Sequence, residues 1–413
     1  MATVAAVRTP MTRVQWRVLV MLVIAVTVNY IDRGNLSVAA PPLRAELGIS
    51  PSQLGMLLSA FFWTYATVMV LAGWLVDRFH VGWVLGIGYL VWSAATAATG
   101  MVSAFGAIFA LRLLVGASES VAYPAFSKIL VGHFPEHHRG LANGLIDAGS
   151  KIGPALCTLF GGLAIAHYGW RAFFIVFGLG TLVWLIPWFL WMPRGAGETG
   201  VHSSDTVSMV ELLRTRDVWW TFMGLFCGNY YWYFLLTWLP SYLVMDRHVS
   251  MQRMAVLGSI TYLAISVCSV LGGFFSDRWI AAGATPTRVR KTFTAGGLLL
   301  STIILPVAAV KDFTSSMALL MMAGMFLGLW ASNHWATTQT LAGPRAAGKW
   351  TGLQNAVGNL AGVVSPALTG FVVERTGSFV PAFLLAACFA LGGAFAYRFG
   401  LGPIQQVQWK TRG

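Results

Sequence analysis

The sequence predicts an all-α polytopic membrane protein, with twelve transmembrane helices in two six-helix pseudo-repeat bundles. Composition, the pattern of apolar runs, the placement of charge and an internal repeat carry that expectation. Of 413 residues, 57% are hydrophobic and only 10% charged. The apolar residues fall in recurring runs of about 20, each long enough to cross about 30 Å of hydrocarbon. Strand-like alternation, the mark of a closed β-barrel, does not occur. Basic residues are also unevenly placed: seventeen of the 27 Lys and Arg lie in alternate loops and the termini, against six in the opposite loops. By the positive-inside rule both termini face the cytoplasm, which accounts for most of the +13 net charge without invoking nucleic acid. Finally, the two halves repeat weakly.

The spans are expected at 14–40, 53–76, 82–103, 105–131, 140–166, 171–192, 217–245, 252–276, 291–310, 314–342, 349–373 and 378–400. In the first, apolar runs flank Asn29-Tyr30-Ile31-Asp32-Arg33-Gly34-Asn35. The second ends in Gly73-Trp74-Leu75-Val76-Asp77-Arg78, and the eighth in Gly273-Phe274-Phe275-Ser276-Asp277-Arg278. The fourth carries Arg112, Glu119 and Lys128, the last expected to snorkel toward the cytoplasm. The fifth holds Gly144-Leu145-Ile146-Asp147-Ala148, matched in the eleventh by Gly352-Leu353-Gln354-Asn355-Ala356. Pro154-Ala155-Leu156 and Pro366-Ala367-Leu368 follow at similar distances. Glycine pairs 140/144, 149/153, 348/352 and 358/362 sit one turn apart, the spacing for close helix contacts in lipid. The seventh is dense in aromatics (Tyr230, Tyr231, Trp232, Tyr233, Trp238), readable as an interface belt or as a gate bent at Pro240. Cys157, Cys227, Cys268 and Cys388 lie in apolar helices without metal-ligand spacing and are expected in the core. Residues 1–192 form the expected first bundle, 193–216 a polar central cytoplasmic loop, and 217–413 the second bundle.

An ionised side chain at bilayer depth costs at least about 2.5–3.5 kcal/mol, so intramembrane charges mark ion or substrate pathways. Asp32, Arg33, Arg112, Glu119, Asp147 and Lys151 all fall in the first half. The second half offers neutral polar groups instead: Asn229, Tyr230, Tyr231, Asn333, His334, Gln339, Gln354, Asn355 and Asn359. Arg112 and Glu119 are two helical turns apart on one face. Asp147 and Lys151 are four apart and can pair. A guanidinium can bind a carboxylate bidentately, so Arg112 is the expected substrate clamp. Arg33 is a second candidate, or the partner of Asp32. Protonating Asp32 and Glu119 would leave a net positive cavity that favours an anion, the coupling a proton–anion symporter needs. Parallel six-helix repeats place such a site between the bundles near the midplane.

These residues resemble the anion:cation symporter family of the major facilitator superfamily, a family that includes bacterial hexuronate, galactonate and glucarate transporters. The resemblance spans the whole chain. It rests on Asn29–Leu36, Gly73–Phe79, Arg112–Ser120, Gly169-Trp170-Arg171 and Trp232–Pro240. It implies the major facilitator fold, with Asp32 and Glu119 as proton sites. Tyr30, Arg33, Tyr65 and Arg112 would line the substrate site from the first half, and Asn355 and the Ser332–Trp335 segment from the second. Asn229, Trp335, Gln354 and Lys151 complete the candidate substrate set. Gly73, Asp77, Arg78, Asp277 and Arg278 form the gating loop motif. The chain departs from the family after Phe79, where it reads His80-Val81-Gly82-Trp83, and at Asp147 and Lys151.

The expected function is therefore proton-coupled import of an organic anion, first a sugar acid (hexuronate, aldonate or aldarate), by alternating access. The alternatives are uptake of an aromatic or dicarboxylic acid, or drug/proton antiport. The last draws on Gly149-x-x-x-Gly153-Pro154 but lacks the following glycine pair at its expected place. No nucleophile–base set or nucleotide loop argues for an enzyme. A sensor would need a longer soluble segment than the central loop. The expected partners are a small organic anion, protons and the lipid bilayer, with no cofactor or metal. The chain is expected as a monomer in the bacterial inner membrane.

Overall fold

The computed structural model describes residues 11–134, 136–191 and 207–409, without the side chains at 70, 77, 131, 136–141, 143, 144, 308, 344, 345, 347 and 348. Helices account for nearly all of it. The run is α1 (Arg13–Leu47), α2 (Pro51–Arg78), α3 (Val81–Thr99), α4 (Phe105–Glu119), α5 (Ala122–His133), α6 (Glu136–Leu156), α7 (Gly162–Thr181) and α8 (Leu185–Trp191). It continues with α9 (Met209–Arg214), α10 (Arg216–Ser241), α11 (Met251–Ala281), α12 (Pro286–Ser301), α13 (Phe313–Thr376) and α14 (Val380–Phe395). Most of the central loop lies outside the described residues, and so do the Asp77 side chain and the surroundings of Gly140, Gly144 and Gly348.

Among the described residues the helices make twelve traverses. Side-chain caps set several starts: Thr12 and Ser50 form capping boxes with Gln15 and Gln53, while Ser250, Thr285 and Asp312 cap α11, α12 and α13. Two hairpins are tight enough that the helical hydrogen bonding hardly lapses. At Gly169 (φ 82°) the α7 run reverses between the fifth and sixth spans, and at Gly343 (φ 62°) α13 reverses between the tenth and eleventh. Both need a left-handed conformation that a side chain would resist. The fourth span breaks into α4 and α5 just after Glu119. Pro124 has no N–H to offer the Ser120 carbonyl, which explains the break.

Apolar side chains face outward along the spans, as at Val176, Leu190 and Val270. The seventh-span aromatics do not form such a belt. Tyr230, Tyr231, Tyr233 and Trp238 are buried; Tyr231 donates to the Ser301 carbonyl and Trp238 to that of Pro366. Cys157 and Cys227 are core residues as expected, but Cys388 is exposed on the surface of α14.

The bundles meet at the end farthest from the chain termini. There Ser52 N–H donates to Glu374 at 2.8 Å, and Gly55 of α2 presses on the backbone of Pro366, Ala367 and Gly370 in α13. Gly162 and Thr158 pack on Ala255 and Gly258 of α11. Arg171 and Trp170 clamp Glu46 at 2.7 and 2.6 Å, tying α7 to the end of α1. Toward the termini the surfaces part: Asp147 is 65% exposed and Gly352 faces open space. The structure is closed at the far end and open at the terminal end.

Candidate functional site

Halfway along α1 the buried charges fall into two separate groups. Asp32 is completely buried. Its Oδ1 accepts from Asn35 Nδ2 at 2.9 Å and from Thr96 Oγ1 of α3 at 2.8 Å. Arg112 of α4 reaches the same place, its Nη1 donating to the Asp32 carbonyl at 3.4 Å and to Asn35 Oδ1 at 3.1 Å. The guanidinium carbon lies 5.5 Å from the Phe174 ring centroid. Arg112 is thus enclosed within the first bundle, with no face toward the second.

Arg33 points the other way. Its Nε lies 3.6 Å from Glu119 Oε2, and the side chains are 3% and 0% exposed. Glu119, not Asp32, is its partner. The guanidinium carbon lies 4.4 Å from the Tyr65 ring centroid, 4.6 Å from Tyr30 and 5.2 Å from Phe61. These rings hold it as a flat cation between aromatic faces. Tyr123 donates to the Tyr30 hydroxyl at 3.3 Å. Neither Glu119 oxygen has a hydrogen-bond partner, and the same holds for Arg33 Nε and Nη2. The same is true behind them of Asp32 Oδ2 and of Arg112 Nε and Nη2. At 3.6 Å the pair attracts mainly through its charges.

The second bundle meets this cluster through Tyr233 of α10. Its ring lies 4.5 Å from Phe62, and its hydroxyl donates to Asn359 Oδ1 at 2.7 Å. Asn359 in turn donates to the Asn355 carbonyl at 2.8 Å and side chain at 3.1 Å. Asn355 is half-buried at the edge of the opening. Trp335 is half-buried beside His334, which stacks on Trp330. Asn229 and Gln354 are engaged inside the second bundle: Asn229 donates to the Gly358 carbonyl, and Gln354 accepts from Thr338 and donates to the Thr221 carbonyl.

Lys151 and Asp147 pair on α6 at 3.6 Å, with exposures of 31% and 65%. Gly149 and Gly153 press that helix onto α1, where a Cβ on Gly153 would lie 2.7 Å from Tyr30 Cβ. Of the loop motif, Gly73 has open space around it, and Arg78 is exposed in the last turn of α2. Asp277 pairs at 2.7 Å with Arg290, which also donates to Ser276 and Asn333. Arg278 ends α11. Lys128 does not snorkel freely, since its ammonium donates to the Val76 carbonyl at 2.6 Å.

Tyr30, Arg33, Tyr65 and Glu119 come together facing the second bundle, whereas Arg112 and Asp32 stand behind them. Asn35 was readable as a partner of Asp32 from its i,i+3 spacing. Thr96 and Tyr233 reach their partners only through tertiary packing.

A family model described as Major Facilitator Superfamily matches residues 22–366. A probable galactarate/D-glucarate transporter of Bacillus subtilis (strain 168) is 28% identical over 97% of this chain and 95% of its own. A hexuronate transporter of the same organism is 29% identical over 94% of each. The chain superposes on the crystal structure of a bacterial homologue of the human lysosomal transporter Spinster, inward-facing and unoccupied. The TM-score is 0.78 at 18% identity, covering 94% of each chain.

Proposed function

The chain belongs to the Major Facilitator Superfamily, a family of transporters rather than enzymes, and on that premise we propose that it is a proton-coupled symporter importing a sugar acid. The observation that carries this reading is the buried Arg33–Glu119 pair facing the second bundle. A protonated Glu119 no longer compensates Arg33, so the guanidinium becomes the natural seat for an entering carboxylate. An ionised Glu119 competes with that carboxylate. Linkage makes the effect reciprocal: whatever protonation adds to anion affinity, the anion adds to proton affinity. Asp32, enclosed with Arg112, Asn35 and Thr96, is the second acid and sets the charge behind Arg33. The hydroxyl and amides of Tyr233, Asn359 and Asn355 give a polyhydroxy chain partners on the opposite side.

Alternating access is the exchange of the present closure for its opposite. With the termini cytoplasmic, the end now open faces the cytoplasm, and the bundle contacts around Gly55 and Gly370 seal the outer side. The sugar-acid relatives support the substrate class, and their bacterial sources support an inner-membrane location.

Uptake of labelled glucarate, galacturonate and galactonate into proteoliposomes with an inward proton gradient tests this reading, with adipate and benzoate as non-sugar acids. At least one sugar acid accumulates, and a protonophore abolishes its accumulation. Accumulation indifferent to the protonophore contradicts coupling. Accumulation of adipate or benzoate alone transfers the assignment to dicarboxylic or aromatic acids.

A further inference from the structure

We propose that a groove between α12 and α14, at the terminal end of the second bundle, binds an anionic phospholipid. The groove has a volume of about 890 Å³ and is lined from both helices. Cations stand at its mouth: Arg288 and Lys291 from the first two turns of α12, and Arg398 just beyond the end of α14. The Lys291 ammonium donates to the Leu401 carbonyl at 2.6 Å and to that of Arg398 at 3.3 Å, which pins the two cationic ends side by side. Arg288 and Arg398 are exposed, their guanidinium carbons 5.7 Å from the Trp279 ring centroid and 5.5 Å from that of Phe399. Among the described residues that line the groove, none is acidic. Asp217 stands outside it and accepts from the Gly402 N–H at 3.0 Å.

Away from the mouth the walls turn apolar. Leu299 of α12 stands on one side, and Leu391 and Phe395 of α14 on the other, each between 45% and 56% exposed. Small residues make the recess: Ala295 and Ala394 are buried at its floor, and a Cβ on Gly296 would meet nothing within 4 Å. The positive-inside bias puts cations at this end of many spans, but it does not gather three of them over one apolar recess free of carboxylates. A phosphodiester complements that mouth, since guanidinium groups grip phosphate oxygens in pairs. An acyl chain complements the walls below it. A free small anion would use the cations and leave the apolar walls bare, whereas a lipid uses both. Basic pockets between spans suit anionic head groups for the same reason. None of these residues belongs to the Arg33 cluster.

The test titrates the delipidated full chain in mild detergent with dioleoylphosphatidylglycerol or dioleoylphosphatidylcholine, read by native mass spectrometry and thermal unfolding. Phosphatidylglycerol binds about tenfold or more tightly than phosphatidylcholine and raises the unfolding temperature. Arg288→Gln combined with Arg398→Gln weakens phosphatidylglycerol about tenfold or more. Arg214→Gln combined with Arg216→Gln removes the same charge from exposed sites at the α9–α10 junction and changes its affinity less than about twofold. Gly296→Leu keeps every charge but fills the recess, and it too weakens phosphatidylglycerol about tenfold or more. Equal binding of the two lipids overturns the inference. So does equal weakening by the two arginine pairs, because net charge alone then attracts the lipid. Wild-type affinity in Gly296→Leu also overturns it, since no chain then lies in the groove. Displacement of the lipid by inorganic phosphate, but not by chloride at the same ionic strength, identifies a small-anion site instead and overturns it as well.

Discussion

Arg33 and Arg112 carry the same charge on neighbouring helices in different surroundings. Arg112 is held by Asn35 and the Asp32 backbone, so Arg112→Ala leaves the Asp32 carbonyl and the Asn35 oxygen buried without that donor. We expect that variant to lose about 1–3 kcal/mol of stability, the cost of leaving buried acceptors without a donor, read by thermal unfolding in detergent. Arg33 is stacked on three rings and paired at 3.6 Å with an acid assigned to take up a proton. Arg33→Ala is expected to abolish substrate binding. Arg33→Lys keeps the charge but loses the flat stacking face and the bidentate fork, so it binds at least tenfold more weakly. Equal binding by Arg33→Lys and wild type contradicts the stacked-seat account. The sequence exposed all four charges, because ionisable groups in apolar runs stand out. It did not show their pairing. That depends on the rotation of α1 about its axis relative to α4, which no spacing rule determines. The nearer candidate by sequence, the adjacent Asp32, is on the wrong side of the helix for Arg33.

The element that presents Lys151 is placed by glycine. On α6, Gly153 lets Tyr30 Cβ and the Thr27 carbonyl approach to within 2.7 and 2.8 Å of where its own Cβ would stand. Gly153→Ala therefore pushes α6 off α1 and is expected to cost about 1–3 kcal/mol, as overpacking does. Gly352→Ala, in open space on α13, is the control and gains up to about 1 kcal/mol of helix propensity. Thermal unfolding of the two variants separates them, and an equal effect contradicts the packing argument. The regular spacing of both glycines made them look alike in sequence; only the presence or absence of a neighbouring helix distinguishes them. Apolar length made the twelve spans legible. The break after Glu119 and the reversals at Gly169 and Gly343 came from backbone demands that hydropathy does not register.

At the scale of the molecule, one end is sealed by close backbone contact and the other is open. Gly55 and Gly370 bring α2 and α13 together at the sealed end. A leucine at Gly55 cannot fit against the Pro366 carbonyl, so Gly55→Leu shifts the population toward the oppositely open state. We expect transport to fall more than tenfold while substrate binding survives, because the Arg33 cluster lies away from that contact. Loss of both together contradicts this division between gate and site. The bundle architecture was readable from the repeat of the two halves. The closed end was not, since the same helix faces serve both states of an alternating carrier.

Exchange and net transport measured side by side in Glu119→Gln test the central claim most directly. A glutamine cannot carry a proton, yet like a protonated Glu119 it leaves Arg33 free for an anion. Proteoliposomes preloaded with unlabelled sugar acid should therefore still exchange it for external label, while accumulation driven by a proton gradient disappears. Proton-driven accumulation at the wild-type level in Glu119→Gln would contradict the assignment of this pair as the coupling site.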